Sequence, residues 1–526
     1  MSLTRSVTLA AVLLALVTRV AAEPPRADVD ALVARAMTTF EVPGLAVTVV
    51  KDGRVVHIAG YGVRRLGESA PVEPTTVFGI ASNTKAFIAA ALAILVDEGR
   101  LSWDDRVIDH LPGFAMYDPY VTHEMRVRDL LCHRSGLGPG AGDLLSFPTS
   151  SYSTAEIVHR LRFIAPASSF RTTFAYSNLM FVVAGEVIGA VTGEGWDAFI
   201  HERIFTPLGM TASNTSVTAL RASNNVVTPH ERMDGTLQTV DYLNLDNVGA
   251  AGAINSNVAD MAKWMLVQLD RGRLPGGEAR LFSERQSREM WSPQTIVPTS
   301  DAPGPLAGLR PQFASYALGW SVRDYRGLKI VTHSGGLIGM TSRVLLVPEA
   351  RLGITALSNS GTAATTALAW SLVDLYLEKP PTDWVAAFKE QVVKNEAEAR
   401  EAVAKATAAR PAASTPSLPL ASYAGRYTDP WYGESAIALE GDHLVLRFGR
   451  TPGLVGELEH FQHDAFVARW RDRSLNADAY VTFALKPDGS VERFTMAPVS
   501  PATDFSFDFQ DLLFTPVKKD STAPAR

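Results

Sequence analysis

The feature that most constrains the fold is the position of the strand-forming segments, which lie at both ends of one long region. Two apolar, β-rich runs at residues 43–50 and 55–62 flank Lys51-Asp52-Gly53, a turn typical of a β-hairpin. Helical patterns follow at residues 82–96, 181–191 and 260–269. Strand patterns then return at residues 316–322, 328–332, 341–347 and 352–357, before a helix at 362–377. This order predicts an α/β domain whose sheet is built from both ends, with a helical region inserted between them.

A second region differs in composition. At 526 residues the chain is too long for one ordinary core. Residues 381–419 are expected to form a helical linker and a Pro-rich connector. Residues 420–518 contain short alternating runs separated by turns such as Pro487-Asp488-Gly489, which predict a small antiparallel barrel or sandwich. The first domain, predicted to be the catalytic one, would span residues 23–380, and residues 519–526 are expected to form a disordered tail.

The N-terminus has the pattern of an export signal. Arg5 precedes a short apolar stretch, and Val20-Ala21-Ala22 supplies small residues before a cleavage site. A retained anchor is disfavoured because the stretch is short for a bilayer and Arg19 interrupts it. We therefore expect a signal peptide at 1–22, no integral membrane segment after its removal, and a periplasmic or secreted protein. Cys132 is the single cysteine, so an internal disulfide is excluded.

Charge and motif content exclude several function classes. The formal net charge of −6 comes without a basic run, so nucleic acid is not expected as a partner. No His/Cys cluster has metal-ligand spacing and no G-x-G-x-x-G opens a nucleotide fold, so we expect no metal and no cofactor. A G-x-S-x-G nucleophile elbow is also absent, which disfavours an α/β-hydrolase.

The first candidate for chemistry is the tetrapeptide Ser82-Asn83-Thr84-Lys85 at the start of a predicted helix. Residues three apart share a helical face, so the Lys85 amine can reach the Ser82 hydroxyl. A serine hydroxyl needs such a base to become a nucleophile. The tetrapeptide alone is weak evidence, because serine is also a favoured helix cap and lysine is common on solvated faces.

Two further clusters strengthen the interpretation. Tyr176-Ser177-Asn178 precedes a predicted helix, and a tyrosine can carry protons where neighbouring charge lowers its pKa. His333-Ser334-Gly335-Gly336 follows the predicted strand 328–332. Glycines there would let a substrate lie against the strand. Taken alone, each cluster has a simpler structural interpretation. Tyr176 would be a tyrosine packed in the core, and the His333 segment would be a turn at the end of a strand.

Taken together, these three elements resemble the serine β-lactamase and penicillin-binding-protein superfamily, in its class C-like branch, peptidase family S12. Residues 127–137, 207–210 and 260–264 are similar to this branch too, and the resemblance covers residues 27 to 378. It implies a β-lactamase/transpeptidase-like antiparallel sheet flanked by helices. Residues 423–427 and 504–508 resemble the lipocalin-like module that follows some of these domains, where it can narrow the cleft or mediate assembly. Motif order and size are also similar to peptidases of linearised microcystin.

The resemblance assigns a role to each motif residue. Ser82 would form an acyl-enzyme, with Lys85 and Tyr176 sharing the proton transfers; which of them is the base stays open. The backbone N–H groups of Ser82 and Gly336 would bind the oxyanion, and Asn178 would bind the acyl-side amide. Ser334 and Gly335 would line the substrate site with Gly336.

One departure from the family pattern bears on the substrate. His333 stands where many members have lysine, and a histidine is only partly charged near neutral pH. Efficient β-lactam hydrolysis is therefore disfavoured, and His333 would join the proton network with Tyr176. The predicted function is hydrolysis of amide bonds in small peptides, including D-residue or linearised cyclic peptides. The alternatives are a carboxylesterase of the β-lactamase-like type and a non-hydrolytic β-lactam or peptidoglycan sensor. The expected partner is a small peptide or ester substrate, and the oligomeric state stays open.

Overall fold

The computed structural model describes residues 24–299, 304–380, 382–411 and 413–517. The predicted signal peptide (1–22) and the predicted tail (519–526) lie outside these residues. In chain order the strands are β1 Gly44–Lys51, β2 Arg54–Gly62, β3 Phe78–Gly79, β4 His230–Met233, β5 Thr236–Thr239, β6 Asn255–Ser256, β7 Thr295–Ile296, β8 Ala314–Tyr316, β9 Ser321–Tyr325, β10 Leu328–Leu337, β11 Met340–Val347, β12 Leu352–Ser358, β13 Gly425–Asp429, β14 Gly433–Glu440, β15 His443–Phe448, β16 Val455–Gln462, β17 Ala465–Trp470, β18 Ala479–Leu485, β19 Val491–Pro498 and β20 Leu513–Pro516.

The α-helices are α1 Arg26–Phe40, α2 Thr84–Asp97, α3 Val107–His110, α4 Pro119–Glu124, α5 Val127–Leu130, α6 Thr154–Arg160, α7 Asn178–Thr192, α8 Trp196–Ile200, α9 Thr206–Leu208, α10 Val217–Arg221, α11 Gly249–Gly252, α12 Val258–Leu269, α13 Glu284–Met290, α14 Ala364–Tyr376 and α15 Trp384–Ala408. A π-helical turn, His201–Phe205, joins α8 to α9. In the described part of the chain no single helix has the length and apolarity to cross a membrane, although the bent pair Asn178–Thr192 and Trp196–Leu208 meets both criteria by length and composition.

The main sheet joins strands from the two ends of the first region. Its order is β2-β1-β12-β11-β10-β9-β8-β7, and each neighbouring pair is antiparallel. Strand β1 lies between β2 and β12, with Leu45 opposite Ser358 and Lys51 opposite Leu352. Both faces of β1 are buried, which suits an apolar, β-branched strand at the sheet centre. This pairing confirms the predicted antiparallel sheet flanked by helices.

Helices cover both faces of this sheet. One face packs against α1, α14 and the start of α15, and the other packs against α2 and α12. Helix α2 is almost completely buried from Thr84 to Leu95. An all-round apolar helix of this kind belongs in the core of a large domain, so its first turn is held rigidly.

The predicted strand at 316–322 is wrong, because two strands and a turn occupy this stretch. Strand β8 ends at Tyr316 and β9 begins at Ser321, and these two residues pair across the turn. Gly319 has φ +74°, and the Ala317 N–H donates to the Trp320 carbonyl over 2.7 Å. The apolar character of Ala317, Leu318 and Trp320 masks this turn in the sequence, since all three are buried.

The second region forms a closed barrel of eight strands, β13 to β20, each paired with its neighbour in sequence. Strand β13 closes the barrel by pairing with β20 through Tyr427 and Thr428. Large buried side chains fill the inside, among them Tyr427, Phe448, Phe466, Trp470, Phe483, Phe494 and Phe514. The barrel prediction is thus confirmed, and its interior is a packed core.

Candidate active site

Ser82 lies on a short, fixed turn ahead of helix α2. The turn is a 3₁₀ helix, Ala81–Asn83, and Ala81 has φ +49°, a conformation that L residues rarely adopt. The neighbouring strand β11 holds the turn, because Ser342 Oγ donates to the Ile80 carbonyl and accepts from Asn83 Nδ2, both over 2.7 Å. Ser82 is thereby presented to solvent on a rigid support.

Lys85 is completely buried beneath Ser82. Its Nζ lies 3.1 Å from Ser82 Oγ, 2.8 Å from Asn178 Oδ1 and 2.8 Å from the Ala251 carbonyl. Burial lowers the pKa of Lys85 to about 7, and the nearby Asp143 carboxyl opposes this shift. The predicted i, i+3 contact is present, and the amine is poised to be neutral near physiological pH.

Tyr176 lies on the other side of Ser82. Its hydroxyl faces the Ser82 side chain, and its ring lies 5.0 Å from Lys85 Nζ. Burial raises the pKa of Tyr176 above its ordinary range, more than the interaction with Ser82 lowers it. Tyr176 is therefore protonated near neutral pH and can donate a proton.

Asn178, the first residue of α7, links Lys85 to a carboxyl group. Asn178 Oδ1 accepts from Lys85, and Asn178 Nδ2 donates to Asp143 Oδ2 over 2.8 Å. The amide oxygen and one amide N–H of Asn178 are therefore used in hydrogen bonds, and its second N–H can donate to a ligand in the cleft.

His333 is buried and makes its hydrogen bonds within strands β8 and β10. Its Nδ1 lies 2.6 Å from the Ser334 carbonyl, so Nδ1 carries the proton, and Nε2 accepts from the Tyr316 hydroxyl over 2.7 Å. Burial, followed by the charge of Lys85, lowers the pKa of His333 to about 3. The ring centroids of His333 and Tyr176 are 6.4 Å apart, so the expected link of His333 to Tyr176 is replaced by one to Tyr316.

Beyond His333, strand β10 has a free edge within the described residues. Strand β9 pairs with β10 only as far as Thr332, whereas β10 continues to Leu337. Gly335 is required for packing, since a Cβ there would lie 2.2 Å from the Ile80 carbonyl oxygen. Gly336 faces open space, and Ser334 and Gly336 are exposed to the cleft.

A cleft of about 870 Å³ joins these groups. It is lined by the sequence-predicted residues Ser82, Tyr176, Asn178, His333, Ser334 and Gly336. Lys85 and Gly335 lie directly behind its wall, the former through Ser82 and the latter against the Ile80 turn.

The barrel supplies one wall of the cleft. The segment between β19 and β20, residues 499–512, is here called the barrel loop. Phe505 packs edge-on against Tyr176 with ring centroids 5.8 Å apart, and Phe507 packs against Phe147 at 5.2 Å. Ser506 and Asp504 also line the cleft. The cleft is therefore an interdomain site.

Sequence reasoning missed Asp143 and Tyr316, because neither belongs to a recognisable motif. It singled out residues 504–508 of the barrel loop only as part of a module that can narrow the cleft. The adjacent residues Cys132 and His133 do not form a catalytic dyad. Burial raises the pKa of the Cys132 thiol to about 12, and His133 Nδ1 accepts the Ser177 N–H over 3.1 Å.

Comparisons with known proteins agree with the fold. Residues 29–378 match the Beta-lactamase family, and residues 409–516 match a domain of unknown function, DUF3471. An unguisins hydrolase of Aspergillus campestris is 30% identical over 89% of this chain and 88% of its own. Penicillin-binding protein 4 of Amycolatopsis lactamdurans is 29% identical over 62% of this chain and 84% of its own.

Among solved structures, the octameric penicillin-binding protein homologue from Pyrococcus abyssi has a similar fold, with a TM-score of 0.58 at 21% identity. That similarity covers 93% of this chain and 99% of the other, so it includes the barrel. The family match spans the strands, the Ser82 turn and the third motif. The chain therefore belongs to the beta-lactamase family, within the serine hydrolase superfamily that includes the penicillin-binding proteins.

Proposed function

We propose that this protein is an exported serine hydrolase that cleaves amide bonds in small peptides through an acyl-enzyme on Ser82. The observation that carries the proposal is the buried Lys85 amine, 3.1 Å from Ser82 Oγ, with its pKa lowered to about 7. A neutral amine at that distance can take the serine proton, which an ordinary surface lysine cannot do at neutral pH. Export, to the periplasm or outside the cell, rests on the N-terminal signal pattern.

Lys85 is the better candidate for the base in acylation. Near pH 7 about half of Lys85 is neutral, whereas Tyr176 holds its proton because burial raises its pKa. In the proposed step the Ser82 proton passes to Lys85 Nζ, and Ser82 Oγ bonds to the substrate carbonyl carbon. The N–H groups of Ser82 and Gly336 would stabilise the oxyanion, at about 3 to 4 kcal/mol per donor.

Tyr176 would then complete the reaction. It gives its proton to the leaving nitrogen as the C–N bond breaks, and the Lys85 ammonium then returns a proton to the Tyr176 oxygen. The acyl group remains on Ser82 as an ester. Water adds to this ester with the same base, releases the carboxylic acid and restores Ser82.

The free edge of β10 supports a peptide as the substrate. An extended chain can pair with an unpaired strand edge through main-chain hydrogen bonds, and this edge lies beside Ser82. A simple ester has no amide groups to use there. The similarity to an unguisins hydrolase supports hydrolytic chemistry, and D-residue or linearised cyclic peptides are the substrates to examine first.

The test compares the full-length protein with Ser82→Ala and with Ser169→Ala, a control at an exposed serine of the same domain. Substrates are linear peptides with D- and L-residues, D-alanyl anilide, p-nitrophenyl butyrate and nitrocefin. We expect peptide turnover that S82A abolishes and S169A retains. Turnover of the ester alone would support the carboxylesterase instead, and stoichiometric labelling without turnover would support the sensor. Equal activity in S82A would overturn the proposal.

A further inference from the structure

The side-chain amide of Asn178 contacts Lys85 through its oxygen, Oδ1, and not through its nitrogen, Nδ2. A neighbouring group must fix this orientation of the amide. Oδ1 faces Lys85 Nζ and Nδ2 faces Asp143 Oδ2, each over 2.8 Å. A neutral amine can accept as well as donate, so Lys85 alone does not fix the amide orientation. A carboxylate only accepts, so Asp143 forces Nδ2 towards itself and Oδ1 towards Lys85.

Asp143 is held on a tight buried turn. It follows Gly142, whose φ is +83°, and it begins the 3₁₀ helix Asp143–Leu145. A Cβ on Gly142 would lie 2.5 Å from side-chain atoms of Ile164 and Leu179, so these side chains pack closely against the turn. Burial raises the pKa of the Asp143 carboxyl, and the hydrogen bond from Asn178 partly opposes this shift.

The barrel holds this turn from the other side. Asp508 of the barrel loop is completely buried, and its carboxyl accepts the Gly142 N–H over 2.5 Å and the Leu144 N–H over 3.1 Å. These two donors flank Asp143 directly. A residue more than three hundred positions away in sequence thus fixes the backbone that carries Asp143.

We propose that Asp143 is a positioning residue for Lys85, acting through Asn178, and that the barrel belongs to the catalytic site because its Asp508 holds the Asp143 turn. This inference rests on the proposed function, since it concerns how Lys85 serves Ser82. It gives the barrel a role in the reaction beyond covering the cleft.

The charges around Lys85 make this role measurable. The titratable groups that face Lys85 are Tyr176, His133, His333 and Asp143. Burial keeps the two histidines and the tyrosine uncharged near neutral pH, so Asp143 is the group among them whose charge raises the pKa of Lys85. Removing that charge moves the pKa of Lys85 down, whereas a purely structural change would leave it in place.

Asp143 itself faces two other carboxyls, Asp504 and Asp508. Repulsion from Asp504 adds to burial in raising the pKa of Asp143 to about 7, and the charge of Lys85 lowers it. Burial, followed by the charge of Asp143, raises the pKa of Asp508. Substitution at any of these positions therefore changes the charge that Lys85 experiences, and the control must lie outside this set.

The experiment measures the second-order rate of Ser82 labelling by a fluorophosphonate between pH 5 and 10, in full-length protein. Asp143→Asn keeps an acceptor for Asn178 but removes the charge; Asp143→Leu removes both. We expect the labelling rate of D143N to stay within about threefold of the wild-type rate at pH 8. The acid limb of its pH–rate profile, which is the fall in rate as Lys85 becomes protonated, should shift to lower pH. D143L should fall at least about tenfold, as the loss of an orienting hydrogen bond predicts.

Asp508→Asn tests the barrel, because an asparagine can satisfy only one of the two N–H groups. We expect D508N to lower the labelling rate about three- to tenfold, while the control Gln510→Ala, an exposed uncharged residue on the same loop, leaves it unchanged. If D143L does not fold, D143N and D508N decide the question by their pH profiles and rates. Wild-type rates and an unmoved acid limb in D143N and D508N would overturn the inference.

Failure of the proposed function is recognised separately. A wild-type protein that labels at Ser82 but turns over none of the amide substrates contradicts that function without touching the Asp143 inference. Wild-type turnover combined with unchanged D143N and D508N contradicts the inference alone.

Discussion

The replacement Lys85→Arg tests the central claim that a neutral amine activates Ser82. With a pKa of about 7, half of Lys85 is neutral at pH 7, whereas a solvent-exposed lysine, whose pKa is about 10.4, would be neutral in roughly one molecule in 2,500. Arginine keeps its proton in proteins because its pKa exceeds about 12, so its neutral fraction at pH 7 is below about one in 100,000.

These fractions set the expected effect. If the neutral amine is required, K85R should lower kcat/KM at pH 7 by at least about 10,000-fold, equivalent to about 5.5 kcal/mol of transition-state free energy. The wild-type rate should fall as the pH drops below about 7, where Lys85 becomes protonated.

The assay is the pH profile of kcat/KM for the best peptide substrate, or of Ser82 labelling where turnover is slow. Lys329→Arg is the matched control, since Lys329 is a partly buried lysine on β10 whose Nζ donates to the Trp291 carbonyl over 3.0 Å. A K85R protein that folds and keeps more than about one hundredth of wild-type activity would refute the reasoning. So would an acid limb that survives in K85R.

Three further predictions follow from the same geometry. Tyr176→Phe should lower kcat by about 100- to 10,000-fold, and the wild-type profile should show no tyrosine limb up to about pH 10, because burial raises the pKa of Tyr176. Gly335→Ala should lower both Tm and the rate of Ser82 labelling, since its Cβ would lie 2.2 Å from the Ile80 oxygen. Gly113→Ala, at an open position, is the control, and unchanged labelling in G335A would contradict the prediction. His333 should keep one set of imidazole NMR shifts from pH 5 to 9, because its pKa lies at about 3, and a titration near pH 6.5 would contradict its neutral state.

Much of the architecture was accessible from the sequence because the signal was periodic. The alternating and apolar runs at both ends of the first region predicted the sheet, and the pairing of β1 with β12 confirms it. The spacing of Ser82 and Lys85 predicted their contact, since helical geometry fixes residues three apart. Where local sequence determines local structure, the prediction succeeded.

The rest depends on contacts that no local pattern records. The hydrogen-bond partner of His333 is Tyr316 and not Tyr176, because the turn at Gly319 places strand β8 beside β9 at the cleft. In the sequence this turn lies within an apolar run, which hides it. Asp143 follows a glycine-rich loop without a motif, and its contact with Asn178 exists only in the folded chain. The sequence predicted a barrel but not that Asp508 would reach the turn carrying Asp143.

The pKa of Lys85 shows why these long-range contacts matter. Two opposing effects set it: burial disfavours the ammonium, and the Asp143 carboxylate favours it. Without burial the amine would be charged at neutral pH and unable to take the Ser82 proton. Without Asp143 it would be a weaker base. The balance near 7 therefore requires α2, α7, the Asp143 turn and the barrel loop together. On this reasoning the barrel contributes to the pH at which the site works, so its loss would alter the acid limb as well as the stability.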